Sequence, residues 1–173
     1  MILVSLKSDF AFKAFFEDEQ IRTRFISDVT GIPYKSIKSA KLIPTSLIKW
    51  WRKQKFWMKR QLYYLARTYS DDLGMGQNYD KLKKCIVISI LDFNLTEDKE
   101  YHSKYTLRDQ NNREHTDLFE VHVIELRKTL KEGNPINDWI RLFNAESEAD
   151  LSHIITENEG GAKRHGSSEN IES

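Results

Sequence analysis

Cys85-Ile86-Val87-Ile88-Ser89-Ile90-Leu91-Asp92-Phe93 is the stretch that decides the fold. It is almost continuously apolar and rich in β-branched side chains, with no polar alternation to mark a wet face. Such a strand is covered on both faces, as happens in sheets flanked by helices. Working outward, Phe56 to Leu73 predicts a helix just before it. Met58, Leu62, Leu65, Ala66, Tyr69 and Leu73 fall on one apolar stripe, Lys59, Arg60, Arg67 and Ser70 lie away from it, and Gly74 and Gly76 end it. After the apolar run, Tyr101 to Arg108 and Leu118 to Leu126 read as two further strands. The polar Asp109-Gln110-Asn111-Asn112-Arg113 between them suits a hairpin loop. The expectation is an α/β fold, a mixed sheet with flanking helices.

The flanks add less. Residues 8–30 predict a helix, started by Ser8 or Asp9, carried by Phe10, Phe12, Phe15, Phe16, Ile21, Phe25, Ile26 and Val29, and stopped by Gly31 and Pro33. Lys35 to Ile43 reads as a strand with poor alternation, ended by Pro44, and Thr45 to Lys55 has no clear period. Asp138 to Asn144 predicts a short helix. The chain turns polar from Ala145, so the expected division is a domain over 1–144 and a disordered tail over 145–173.

With 173 residues, 39% hydrophobic and 31% charged, the composition is that of a soluble globular domain. No apolar run approaches the roughly 20 residues of a membrane span, so no membrane partner is expected. The first residues lack a signal-peptide pattern. One cysteine, Cys85, rules out an intrachain disulfide, which fits a cytoplasmic protein. The net charge of +1 hides an asymmetry: between Asp28 and Asp71 there is no acidic residue but ten lysines and arginines. A basic middle in an acidic frame points to a polyanionic partner.

Within that middle, Lys49-Trp50-Trp51-Arg52-Lys53-Gln54-Lys55-Phe56-Trp57 mixes cations with aromatic rings. Lys49, Arg52, Lys53, Lys55, Lys59 and Arg60 are the candidate DNA contacts, gripping phosphates weakly and without sequence preference while the rings stack on bases. The plainer reading is a solvated basic face whose aromatics pack on the core. His102, His115, His122, His153 and His165 show no ligand spacing with Cys85, so no zinc site is expected. His122, flanked by Val121 and Val123, reads as structural or on a polar strand face, and Cys85 as a small apolar residue. Asp92 with Glu97-Asp98-Lys99 spells a nuclease signature superficially, but Asn94 to Glu100 is a polar connection, too loose to hold a hard-metal site. Glu17-Asp18-Glu19 reads as a solvated acidic turn.

Three segments taken together resemble one family. They are Ser8-Asp9-Phe10-Ala11-Phe12-Lys13 with Phe15; Lys59-Arg60-Gln61-Leu62-Tyr63-Tyr64-Leu65-Ala66 running through Gly76, Tyr79 and Leu82-Lys83-Lys84-Cys85-Ile86 to Ile90-Leu91-Asp92-Phe93; and Tyr101-His102-Ser103, Leu107-Arg108-Asp109 and Asp117 to Leu126. The set is similar to the recombination-promoting nucleases and transposases, a branch of the PD-(D/E)XK nucleases, over roughly residues 8–150.

The resemblance implies a restriction-endonuclease-like fold and Mg²⁺-dependent cleavage of DNA, with the metal held by hard carboxylate oxygens and activating a water. In the family one Asp and a Glu-x-Gln on adjacent strands do this work, between the Asp-Phe-Ala-Phe-Lys segment and the Lys-Arg-x-Leu-Tyr-Tyr helix. Here that interval has neither Asp nor Glu from Val29 to Met58, and no Glu-x-Gln occurs anywhere. The implied picture is a member lacking two core strands and ending differently from its relatives. Its expected catalytic residues, cofactor and metal ligands are none, although intact members use Mg²⁺. An alternative is a DNA-binding or regulatory module that forms a homo-oligomer or pairs with an intact relative.

Overall fold

The computed structural model describes residues 9–37, 40, 54–71, 73–74, 76–147 and 149–150. They divide into two compact units, one formed by the described residues up to 40 together with those from 131 on, the other by those between 54 and 130.

The first unit is helical. Helix α1 (Asp9–Glu17) and helix α2 (Glu19–Thr30) replace the single helix expected over 8–30. The break falls at Asp18, whose Oδ1 accepts from the backbone N–H groups of Gln20 (2.8 Å) and Ile21 (3.0 Å). A carboxylate that caps the next helix cannot sit inside the previous one. The Arg22 guanidinium donates to the Phe16 carbonyl at 2.7 Å and so satisfies the end of α1. Gly31 stops α2 as expected, in the left-handed region at φ 73°, with its N–H on the Ser27 carbonyl. Tyr34–Ser36 form one 3₁₀ turn rather than the start of a strand; most of the remainder of the expected strand lies outside the described residues. The turn follows from Pro33, whose carbonyl accepts from Ser36 N–H at 2.8 Å.

Helix α4 (Ile136–Asn144) begins two residues before its expected start, because Asn134 Oδ1 caps Ile136 N–H at 2.9 Å. Phe15, Phe16, Phe25, Trp139 and Phe143 meet edge-on or tilted, with centroid separations from 5.1 to 6.4 Å. Val29, Ile136 and Ile140 are buried with them. The Trp139 indole N–H donates to Asp28 Oδ2 at 2.9 Å, so the ring is packed without leaving its donor unmet.

The second unit holds the sheet. Helix α3 (Gln54–Asp71) precedes strand β1 (Cys85–Leu91), strand β2 (His102–Arg108) and strand β3 (Glu114–Glu125). The strand order is β1-β3-β2, with β1 parallel and β2 antiparallel to β3, so the mixed sheet and the α/β class are as expected. In the hairpin, Asp109 Oδ1 accepts from Asn111 and Arg113 N–H groups, both at 2.9 Å, and Asn112 takes φ 61°, a conformation asparagine tolerates.

Helix α3 covers one sheet face, but not through the whole stripe expected. Leu65 is buried against Cys85, Leu91, Val121 and Val123, and Trp57 and Tyr69 pack beside it. Met58 and Leu62 are instead 57% and 58% exposed. The buried row is Trp57, Gln61, Leu65 and Tyr69, spaced by four. Gln61 is tolerated there because its amide donates to Ser89 Oγ at 2.8 Å. Cys85 is a buried member of this core, as expected of a small apolar residue. No helix among the described residues is long and apolar enough to cross a membrane.

Candidate functional site

Side chains alternate along β3, so Glu120, His122 and Ile124 share the sheet face opposite the core that holds Val121 and Val123. Register places Lys104 of β2 beside His122, and His102 beside Ile124. Lys84 immediately precedes β1, whose Ile86 is paired with Glu120. Three segments thereby bring two histidines, two lysines and a carboxylate together.

Glu120 is the centre of this cluster. Its Oε1 takes the ammonium groups of both Lys84 (2.8 Å) and Lys104 (2.7 Å). Its Oε2 faces His122 Nε2 at 3.4 Å, and His122 Nδ1 lies 2.9 Å from His102 Nε2, with the two imidazoles stacked at 19°. Burial alone would push the Glu120 carboxyl upward. The hydrogen bonds from Lys104, Lys84 and His122 outweigh it and hold the group at about 2. Burial first, then His122 and Lys104, lowers His102 to about 4. His122 is lowered too, chiefly by burial, against the opposing pull of Glu120. At neutral pH the carboxylate is ionised and both rings are neutral. His122 then donates from Nε2 to Glu120 and accepts at Nδ1 from the Nε2–H of His102, which leaves the lone pair of His102 on Nδ1.

A second buried carboxylate closes the turn after β1. Glu125 accepts from the backbone N–H groups of Leu95 and Thr96 and from the Lys128 ammonium at 2.7 Å. Burial raises its carboxyl, and Lys128 with the two amides lowers it further than that. Asp92 sits on Arg127 at 3.1 Å, and Glu97 and Asp98 are exposed on the connection, as expected of a polar link.

The carboxylate donors therefore do not suit the Mg²⁺ ion that the family resemblance implies. Such an ion needs several oxygens converging from rigid elements. Among the described residues the two buried carboxylates, Glu120 and Glu125, are each held by lysine, and no three His, Cys, Asp or Glu side chains group as ligands.

The expected DNA contacts are only partly placed. Lys49, Arg52 and Lys53, with Trp50 and Trp51, lie outside the described residues, and Lys55 belongs to the first turn of α3. Lys59 is exposed on α3, and the Arg60 guanidinium lies 5.5 Å from the centre of the Tyr64 ring. Trp57 packs against the core, in keeping with the plainer reading of that ring. His122 is structural in the sense expected, being buried and bonded. The grouping around Glu120 was not foreseen. Its only trace in the sequence is the Glu120-Val121-His122 alternation, and which β2 residues meet it depends on register.

A family model described as PD-(D/E)XK nuclease family transposase matches residues 50–168. The match takes in α3, the three strands, α4 and every residue of the Glu120 cluster, but not residues 8–49. No curated protein and no solved structure matches the chain. Helix, mixed sheet and family match agree over most of the length, and the chain belongs to the PD-(D/E)XK nuclease family of transposases.

Proposed function

We propose that this chain is a member of that nuclease family that binds DNA without cutting it, acting in the cytoplasm. The observation that carries the reading is the state of its buried acids: Glu120 is held by two lysines and Glu125 by a lysine and two backbone amides. Stripping a buried carboxylate of its cation to offer it to a metal costs about 3–5 kcal/mol before any metal is bound. The sequence supports the same view, since the interval where relatives carry Asp and Glu-x-Gln has neither acid from Val29 to Met58. On this reading two core strands of the family sheet are missing, and the chain carries no metal or other cofactor.

Binding would run through the basic middle, with Lys49, Arg52, Lys53, Lys55, Lys59 and Arg60 neutralising phosphates. Two measurements test it. Mn²⁺ titration followed by electron paramagnetic resonance should find no site tighter than the millimolar range. Gel shifts on an arbitrary duplex should show binding at low salt that collapses as salt rises. Lys53→Glu with Lys55→Glu should weaken it, and unchanged affinity would make the basic middle a solvated face.

A second reading has one specific support. Strand β1 stands at one end of the described strand order, and its Ile86-Val87-Ile88-Ser89-Ile90 are half-buried and carry no charge. Edges of that kind invite another strand. Pairing with a second copy or with an intact relative follows, and sedimentation of the protein alone and mixed with such a relative tests it: a monomer in both removes this reading.

A further inference from the structure

Around Glu120 there is more positive charge than the carboxylate requires. One lysine would neutralise it, yet Lys84 and Lys104 both bond the same oxygen, while His102 and His122 are neutral. The cluster keeps a surplus of one positive charge. The anchor is buried and the cations are not: the Glu120 side chain is 5% exposed, those of Lys84 and Lys104 33% and 46%. Each ammonium has three donors and spends one on Glu120.

We propose that Lys84 and Lys104, pinned on Glu120, form a phosphate-binding site that takes one backbone phosphate of DNA. The two lysines flank β3, one entering β1 and the other within β2, so the sheet fixes their separation. A site built on strands holds its geometry better than one on loops. Free lysine side chains lose rotamer entropy when they close on a ligand. Here Glu120 has already ordered both, so that cost falls on folding rather than on binding. A phosphate oxygen accepts from both ammoniums, and the buried carboxylate beneath them keeps the site from holding two anions. Inorganic phosphate offers the same chemistry as the DNA backbone, so the test separates them. The inference rests on the DNA-binding reading above for its choice of ligand, but not for the site itself.

The experiment uses the full chain and two probes, a fluorescein-labelled 20-base-pair duplex and inorganic phosphate. Anisotropy of the duplex is measured at several salt concentrations for the wild type, Lys84→Gln, Lys104→Gln and Lys104→Arg. Each glutamine variant leaves Glu120 one lysine, and circular dichroism checks that it is folded. Each should lose about 3–10-fold in affinity at low salt and about one from the slope of log K against log salt, and Lys104→Arg should keep both. In parallel, histidine ¹⁵N shifts of the wild type are followed on adding phosphate. His122 faces Glu120, so its ring should report an anion settling on the lysines, and this arm needs no variant to fold. Wild-type binding matched by both glutamine variants overturns the site while leaving DNA binding intact. A wild type that ignores the duplex but shows saturable phosphate shifts at His122, absent in Lys104→Gln, removes the DNA reading and keeps the site as one for free phosphate. No duplex binding and no shifts would overturn both.

Discussion

Acid should weaken the sheet through the two stacked histidines before it touches any carboxylate. In the folded chain His102 is lowered from 6.5 to about 4, so between those values the unfolded chain binds a proton that the folded one refuses. Stability then rises with pH. The contribution is complete above 6.5, shrinks as pH falls toward 4, and is gone below that. At about 1.4 kcal/mol for each pKa unit, His102 accounts for about 3 kcal/mol, and His122, lowered in the same direction, adds to it. The effect is large against a total of about 5–15 kcal/mol for a domain. Glu120 acts in a lower window: its carboxyl is held at about 2 against 4.5, so its share is present above 4.5 and is lost as pH falls toward 2. The assay is urea unfolding followed by tryptophan fluorescence at pH 7.5, 6.0, 5.0 and 4.5. Wild-type stability should fall by about 3 kcal/mol across that series. His102→Gln, which removes one titrating ring and keeps a polar side chain beside His122, should lose at least half of the pH dependence. A flat profile, an unchanged slope in His102→Gln, or histidine titrations by NMR near 6.5 would mean that the stacked rings do not set the acid sensitivity.

Two further perturbations separate packing from charge. Lys128→Met strands the buried Glu125 carboxylate and should cost about 3–5 kcal/mol in urea unfolding, whereas Lys128→Met with Glu125→Gln should recover much of it. Leu65→Ala should cost about 2–5 kcal/mol, while Leu62→Ala, on the exposed side of the same helix, should stay within about 0.5 kcal/mol; equal losses would mean α3 is turned differently.

Strand β1 was legible because its composition is one that little but a sheet strand shares: seven residues, none charged and five of them Ile, Val or Leu, although Ile86 to Ile90 are half-buried rather than covered on both faces. The hairpin was legible from the polar run Asp109 to Arg113: the Asp109 carboxylate ties the turn, and Asn112 takes the left-handed backbone conformation it needs. The facing of α3 was less so. Its apolar residues spread over two adjacent rows, and the buried row contains Gln61, a polar residue whose place depends on Ser89 in a strand 28 positions away. The split at Asp18 was half legible: Glu17-Asp18-Glu19 read as an acidic turn, yet the helical spacing ran on through it, because an acid inside an apolar pattern reads equally as a surface residue or as a cap. The four extra residues at the start of β3, Glu114 to Asp117, are polar, and all but the half-buried Thr116 are exposed, so pairing with β2 rather than burial holds them. The Glu120 cluster needed the register of β3 with both neighbours, which no periodicity within a single strand supplies. The family, by contrast, was carried by the order and spacing of short segments; the match over residues 50–168 covers the second and third of them, while the first, Ser8 to Phe15, lies outside it.

Whether DNA is held but not cut is decided by incubating the purified chain with supercoiled plasmid in Mg²⁺ and, separately, Mn²⁺, with binding read on the same samples by gel shift. The plasmid should be retarded and should run as intact supercoil once protein is removed. Nicked or linear product that survives repurification and disappears in Asp92→Asn or Glu97→Gln would contradict it, and would place a working metal centre on the connection after β1.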